Sequence, residues 1–138
     1  MFSPNAPMLI VDDSRTMRLI LKKGLTTLGF ANVIEAENGF HALMRLEENF
    51  ASKSPVEAVI SDWSMPRMSG LELLKNIRRD ARTANLPFLM VTSVSEPSQI
   101  LAAGRAGADG YLTKPFSFEQ LQRCMVEIYV RVVQQKAA

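Results

Sequence analysis

A short apolar run that stops on a polar side chain occurs five times in this chain, each time followed by a helical pattern. Met8-Leu9-Ile10-Val11 runs into Asp12-Asp13-Ser14, and Val33-Ile34-Glu35-Ala36 into the Asn38-Gly39 turn. Val56 to Ser61 ends at Asp62, and Pro66 stops the extended pattern. Phe88-Leu89-Met90-Val91 ends at Thr92, and Asp109-Gly110-Tyr111-Leu112 delivers Thr113-Lys114-Pro115. Runs so short and rich in β-branched residues read as strands buried on both faces. Five strands alternating with five helices argue for a parallel sheet covered by helices on both sides.

The helices are legible from spacing and caps. Met17, Ile20, Leu21, Gly24 and Leu28 give the first helix an apolar stripe that stops at Gly29. Ala42, Leu43 and Leu46 mark the second. Ser69-Gly70-Leu71-Glu72 and Ser117-Phe118-Glu119-Gln120 have capping-box spacing and open the third and fifth. The fourth, from Pro97 to Ala106, has only Ile100 and Leu101 as sizeable anchors. The domain is expected over residues 8–134, with a loose leader at 1–7 and a tail at 135–138. Its leader holds two prolines and little to pack.

In open sheets of this kind, chemistry gathers beyond the carboxyl ends of the strands. Asp12, Asp13, Asp62, Thr92 and Lys114 are therefore expected on one rim. Each alone has an ordinary reading; Asp62, for example, suits a helix cap. Together they do not. Two unit charges ~4 Å apart repel by ~4 kcal/mol at an effective dielectric near 20, so three carboxylates there call for protons or a cation. An all-oxygen donor set suits Mg²⁺, which binds through one or two carboxylates and keeps several waters. Lys114 and the Thr92 hydroxyl add donors for negative oxygens. Metal, lysine and hydroxyl form a phosphoryl clamp, and a carboxylate can accept phosphoryl as a mixed anhydride. Asp62, alone on the central strand, is the candidate acceptor, with Asp12 and Asp13 as the metal pair.

Composition narrows the partners. Sixteen basic residues against fourteen acidic ones give a net charge of +2 without a basic run, so nucleic acid is not expected. The lone Cys124 fits a reducing cytoplasm, and no apolar run has membrane length, so neither a disulfide nor a membrane is expected.

Val11-Asp12-Asp13-Ser14, Asp62-Trp63-Ser64-Met65-Pro66, Thr92-Ser93 and Ala108 to Phe116 resemble the receiver domain of bacterial two-component response regulators, within it the single-domain chemotaxis regulators. The resemblance covers roughly residues 8–134. It implies an α/β, (βα)5 flavodoxin-like three-layer sandwich with a five-stranded parallel sheet in the order 2-1-3-4-5. It implies that Asp62 takes a phosphoryl group from a sensor histidine kinase. Asp13, Asp62 and the Ser64 carbonyl would hold Mg²⁺ (Mn²⁺ substituting), with Asp12 through water. Lys114 would clamp the phosphoryl group, Thr92 swing toward it and Tyr111 follow. Lys114-Pro115 would be cis. Such a protein catalyses only its own phosphorylation and dephosphorylation. Ser64 and Val94, which flank the expected water path, leave the lifetime of the phosphorylated state open.

On the last helix, Leu121, Cys124, Met125, Ile128 and Val132 form a core stripe, whereas Val126, Val130 and Val133 fall on another face. The expected output surface is therefore helix 4, strand 5 and helix 5, for a downstream protein or a second copy of the chain. A phosphorelay intermediate, or an interaction domain that is not phosphorylated, is the alternative. A dehalogenase-type phosphatase would need an acid where Ser64 stands. A flavin carrier would need a neutral loop in place of Asp12-Asp13.

Overall fold

The computed structural model describes residues 5–137. Its elements alternate strictly: β1 (Met8–Val11), α1 (Arg15–Thr27), β2 (Val33–Ala36), α2 (Gly39–Phe50), β3 (Ala58–Ser61), α3 (Gly70–Arg79), β4 (Phe88–Thr92), α4 (Pro97–Ala106), β5 (Gly110–Thr113) and α5 (Phe118–Ala137). The strands form one parallel sheet in the order β2-β1-β3-β4-β5, as expected. Val11 pairs with both Ala36 and Ser61, and Thr92 with Thr113, so the strand exits lie level.

Period-two alternation splits the core into two layers. Met8, Ile10, Ile60 and Leu89 face α1 and α5, meeting Leu21, Leu25, Leu121, Met125 and Ile128. Leu9, Val11, Val59 and Met90 face the other way, meeting Leu46, Leu73, Leu74, Ile77 and Ala103 of α2, α3 and α4. Burial on both faces is why the central strands β1, β3 and β4 are mainly apolar rather than alternating with polar residues. Both capping boxes form: Ser69 exchanges bonds with Glu72, and Ser117 with Gln120. The fifth-helix stripe faces the core, and Val126 and Val130 are exposed; the Val133 side chain lies outside the described residues.

Four expectations change. On α1, Met17, Leu21, Gly24 and Leu28 face the core as expected, Arg18 and Leu25 join them, and Ile20 is exposed. A guanidinium with buried partners can occupy a core-facing position that the apolar pattern assigns elsewhere. On α4, Ile100 and Leu101 are not anchors; both are exposed and only Ala103 is buried, because the small residues let the helix lie close to α3. Of the expected leader, residues 1–4 lie outside the described residues. Ala6 and Pro7 are buried, with the Pro7 carbonyl accepting from Glu57 N–H at 3.0 Å, so these two belong to the folded domain. Of the expected tail, residues 135–137 are helical and 138 lies outside the described residues; Gln135, Lys136 and Ala137 are helix formers with no stop signal among them.

At the sheet edge opposite the carboxyl ends, one arginine ties four elements together. Arg78 of α3 donates to the Leu86 carbonyl (2.6 Å), the Gly107 carbonyl (2.8 and 3.2 Å) and Asp109 Oδ2 (3.1 Å). Asp109 Oδ2 also accepts from Phe88 N–H, and its carbonyl from Arg131 of α5. Burial lowers the Arg78 pKa, against the opposing pull of Asp109. Gly107 closes α4 with φ +105, and a Cβ there would stand 2.8 Å from Arg78 Nε. The C-terminal end of α4 is thereby fixed, whereas Glu96 at its N-terminus makes no side-chain cap bond.

Candidate functional site: an acidic pocket at the strand exits

The backbone ladder continues one residue past the strands. Asp12 N–H donates to the Ala36 carbonyl (3.1 Å), Asp62 N–H to Val11 (2.9 Å) and Lys114 N–H to Thr92 (2.9 Å). These bonds place the polar side chains side by side on one rim. One carboxylate oxygen from each of Asp12, Asp13 and Asp62 lies within 4.8 Å of the others. Lys114 Nζ donates to Asp12 Oδ2 at 2.8 Å and to Asp62 Oδ2 at 3.2 Å. The Lys114-Pro115 peptide is cis.

Each acid has a distinct environment. Asp12 is 1% exposed, and its Oδ1 accepts from Ser14 N–H at 2.8 Å. Asp62 is 9% exposed, and its Oδ1 accepts from Trp63 N–H at 2.6 Å. Asp13 is exposed, and no cation pairs with it among the described residues. Burial alone would lower the Lys114 pKa, but the hydrogen bond and charge of Asp12, then those of Asp62, outweigh it and the net shift is upward. Lys114 is thus held as an ammonium.

One ammonium against three carboxylates leaves negative charge in the pocket, and the free donors are all oxygens. That set fits a hard divalent cation such as Mg²⁺. Ser64 is exposed; the carbonyl before it, of Trp63, accepts from Gly70 N–H, and no described backbone N–H donates to its own.

Thr92 is fully buried, and its hydroxyl accepts from Val94 N–H at 3.3 Å. The Tyr111 hydroxyl donates to the Val94 carbonyl. Thr92 and Tyr111 therefore grip one residue from opposite sides. Burial, then the charge of Asp62, raises the Tyr111 pKa, so the phenol stays a donor at neutral pH.

Three contributors were not apparent from the sequence. Gly70 packs so tightly under Asp62 that a Cβ would stand 2.0 Å from the Asp62 carbonyl oxygen. The Val94 peptide, read only as part of a water path, links the two switch candidates. Arg18 reaches the main chain of the site: Nη1 donates to the Asp12 carbonyl at 2.8 Å and Nε to Glu35 at 3.1 Å. Its spacing from Leu21 and Leu25 is the signal that could have placed it inside.

The model of the response regulator receiver domain family matches residues 8–125. The chain is 43% identical to chemotaxis protein CheY-3 of Vibrio cholerae over 93% of its length and 95% of that protein. It is likewise 43% identical to chemotaxis protein CheY of Pseudomonas aeruginosa, over 90% of the chain and 96% of that protein. Among solved structures, the chemotaxis response regulator CheY4 of Vibrio cholerae superposes with a TM-score of 0.77 at 32% identity, covering 90% of this chain and 98% of that one.

Proposed function

Because the chain belongs to the response regulator receiver family and is CheY-like, we propose that Asp62 accepts the phosphoryl group of a sensor kinase's phosphohistidine. The observation that carries this is the Lys114 ammonium bridging Asp12 and Asp62 inside a cluster of three carboxylates. Asp62 supplies the attacking oxygen: a P–O bond forms as the P–N bond breaks, and the imidazole leaves with the electron pair. Trp63 N–H holds the other carboxylate oxygen, so the nucleophile is oriented before the donor arrives. Lys114, kept protonated by its two acids, then binds a phosphoryl oxygen. Asp13, Asp62 and the Ser64 carbonyl would hold Mg²⁺, with Asp12 through water; the ion, or Mn²⁺ in its place, would supply charge neutralisation. Attack of water on phosphorus later returns Asp62 and releases phosphate. The protein is thus a signalling phosphoacceptor that catalyses only its own phosphorylation and dephosphorylation.

The shared grip on Val94 supports a switch. When the Thr92 hydroxyl turns to the phosphoryl group, Val94 N–H loses its acceptor and the peptide carrying the Tyr111 bond is free to move. Output then goes through α4, β5 and α5, to a downstream protein or a second copy of the chain, in chemotaxis-like signalling in the cytoplasm. Leu101, Val126 and Val130, 54%, 37% and 45% exposed, support that face. No described helix is long and apolar enough to cross a membrane.

Intact-mass measurement after incubation with acetyl phosphate and Mg²⁺ tests the acceptor. The wild type gains one PO₃ and Asp62→Asn gains none; an adduct on Asp62→Asn, or none on the wild type even after rapid quenching, refutes the assignment. Val130→Glu should keep the adduct and weaken partner binding or self-association. Unchanged binding removes α5 from the output face.

A further inference from the structure

We infer that Arg18 is a positioning residue for the metal site, aiming Asp13 through the main chain of Asp12; the inference rests on the Mg²⁺ reading above. Arg18 is 8% exposed, on the inward face of α1 with Leu21 and Leu25. Burying a guanidinium is costly, and its ion pair with Glu35, a side chain 37% exposed, returns little. What the burial achieves is the 2.8 Å bond from Nη1 to the Asp12 carbonyl.

That carbonyl belongs to the planar peptide joining Asp12 to Asp13. Asp12 N–H is already fixed on Ala36, so Arg18 pins the second half of the residue and the plane from which Asp13 departs. The Asp13 carboxylate makes no side-chain hydrogen bond among the described residues, so its aim is set by its backbone. Arg18 also ties this loop to the edge strand through Glu35, whose carbonyl accepts from Arg45 of α2.

The idea makes a signed prediction. A cation bonded to the Asp12 main chain opposes a bound cation by its field alone, so deleting Arg18 would tighten Mg²⁺ binding if the field were all that mattered. Positioning predicts the reverse. Mg²⁺ is titrated alone into the full chain, read by the fluorescence of Trp63, whose N–H contacts Asp62. Arg18→Met should raise the Kd about ten-fold, the scale for residues that orient metal ligands. Arg18→Lys keeps the charge yet cannot hold both the Asp12 carbonyl and Glu35, and should raise it about three-fold. Glu35→Gln, which leaves the bond to Asp12, should stay within about two-fold of wild type. Equal or tighter binding by Arg18→Met overturns the inference; if that variant does not fold, equal binding by Arg18→Lys does so. A wild type that shows no Mg²⁺ response by fluorescence or calorimetry overturns the metal reading itself, and this inference with it.

Discussion

Replacing Lys114 with methionine removes the one cation among the described residues that touches both buried acids of the rim. The aliphatic stem is retained, so packing changes little. What is lost is a 2.8 Å bond to Asp12, which is 1% exposed, and a 3.2 Å bond to Asp62, which is 9% exposed. Removing one partner of a buried pair costs ~3–5 kcal/mol. The Lys114 side chain is 16% exposed, so the lower end, about 3 kcal/mol, applies here. For a domain of this size that corresponds to a Tm lower by ~10 °C. The assay is urea unfolding without Mg²⁺, from pH 5 to pH 8. In the wild type, Lys114 has a raised folded pKa; its contribution is whole below the unfolded value near 10.5 and fades only as pH rises through the folded one. From pH 5 to pH 8 the wild-type contribution of Lys114 is therefore whole, and the deficit of the variant is read across that range. Adding Mg²⁺ should restore more stability to the variant than it adds to the wild type, since the ion then supplies the missing counter-charge. A deficit under about 0.5 kcal/mol would refute the electrostatic account of this pocket.

Gly70→Ala should lower stability by about 2 kcal/mol and slow formation of the acetyl phosphate adduct, because its methyl would collide with the Asp62 carbonyl 2.0 Å away; a wild-type adduct rate means that the loop carrying Asp62 relaxes freely. Arg78→Met strands the Leu86 and Gly107 carbonyls together with Asp109, and should cost about 3 kcal/mol in urea unfolding while leaving Mg²⁺ affinity within two-fold. A large loss of Mg²⁺ affinity there would show that the two ends of the sheet are not independent.

Much of the rim was legible because a parallel sheet imposes a simple rule. Each run closes on polar residues where the strand leaves the core, so those residues mark its exit, and exits of neighbouring strands lie level. Asp12, Asp62, Thr92 and Lys114 follow from that rule. Ile100 and Leu101 failed because their size was taken for burial, whereas α4 packs through Ala103. Arg18 failed for the opposite reason: charge was taken for exposure, although its spacing put it with Leu21 and Leu25. Gly70 and the Val94 peptide carry no signal of their own, since one acts by lacking a side chain and the other through main-chain atoms.

Helix α4 is soldered at one end only. Arg78 locks the Gly107 terminus, while the Glu96 terminus, adjoining the Val94 stretch that Thr92 and Tyr111 hold, lacks a side-chain cap. At 10 residues the helix is about 15 Å long, so a tilt of ~10° about the fixed end carries the loose one by ~2.5 Å. Leu101 and Ile100 ride on that lever arm, so under the switch proposed above a small rearrangement near the strand exits would redraw the outline of a surface one helix away.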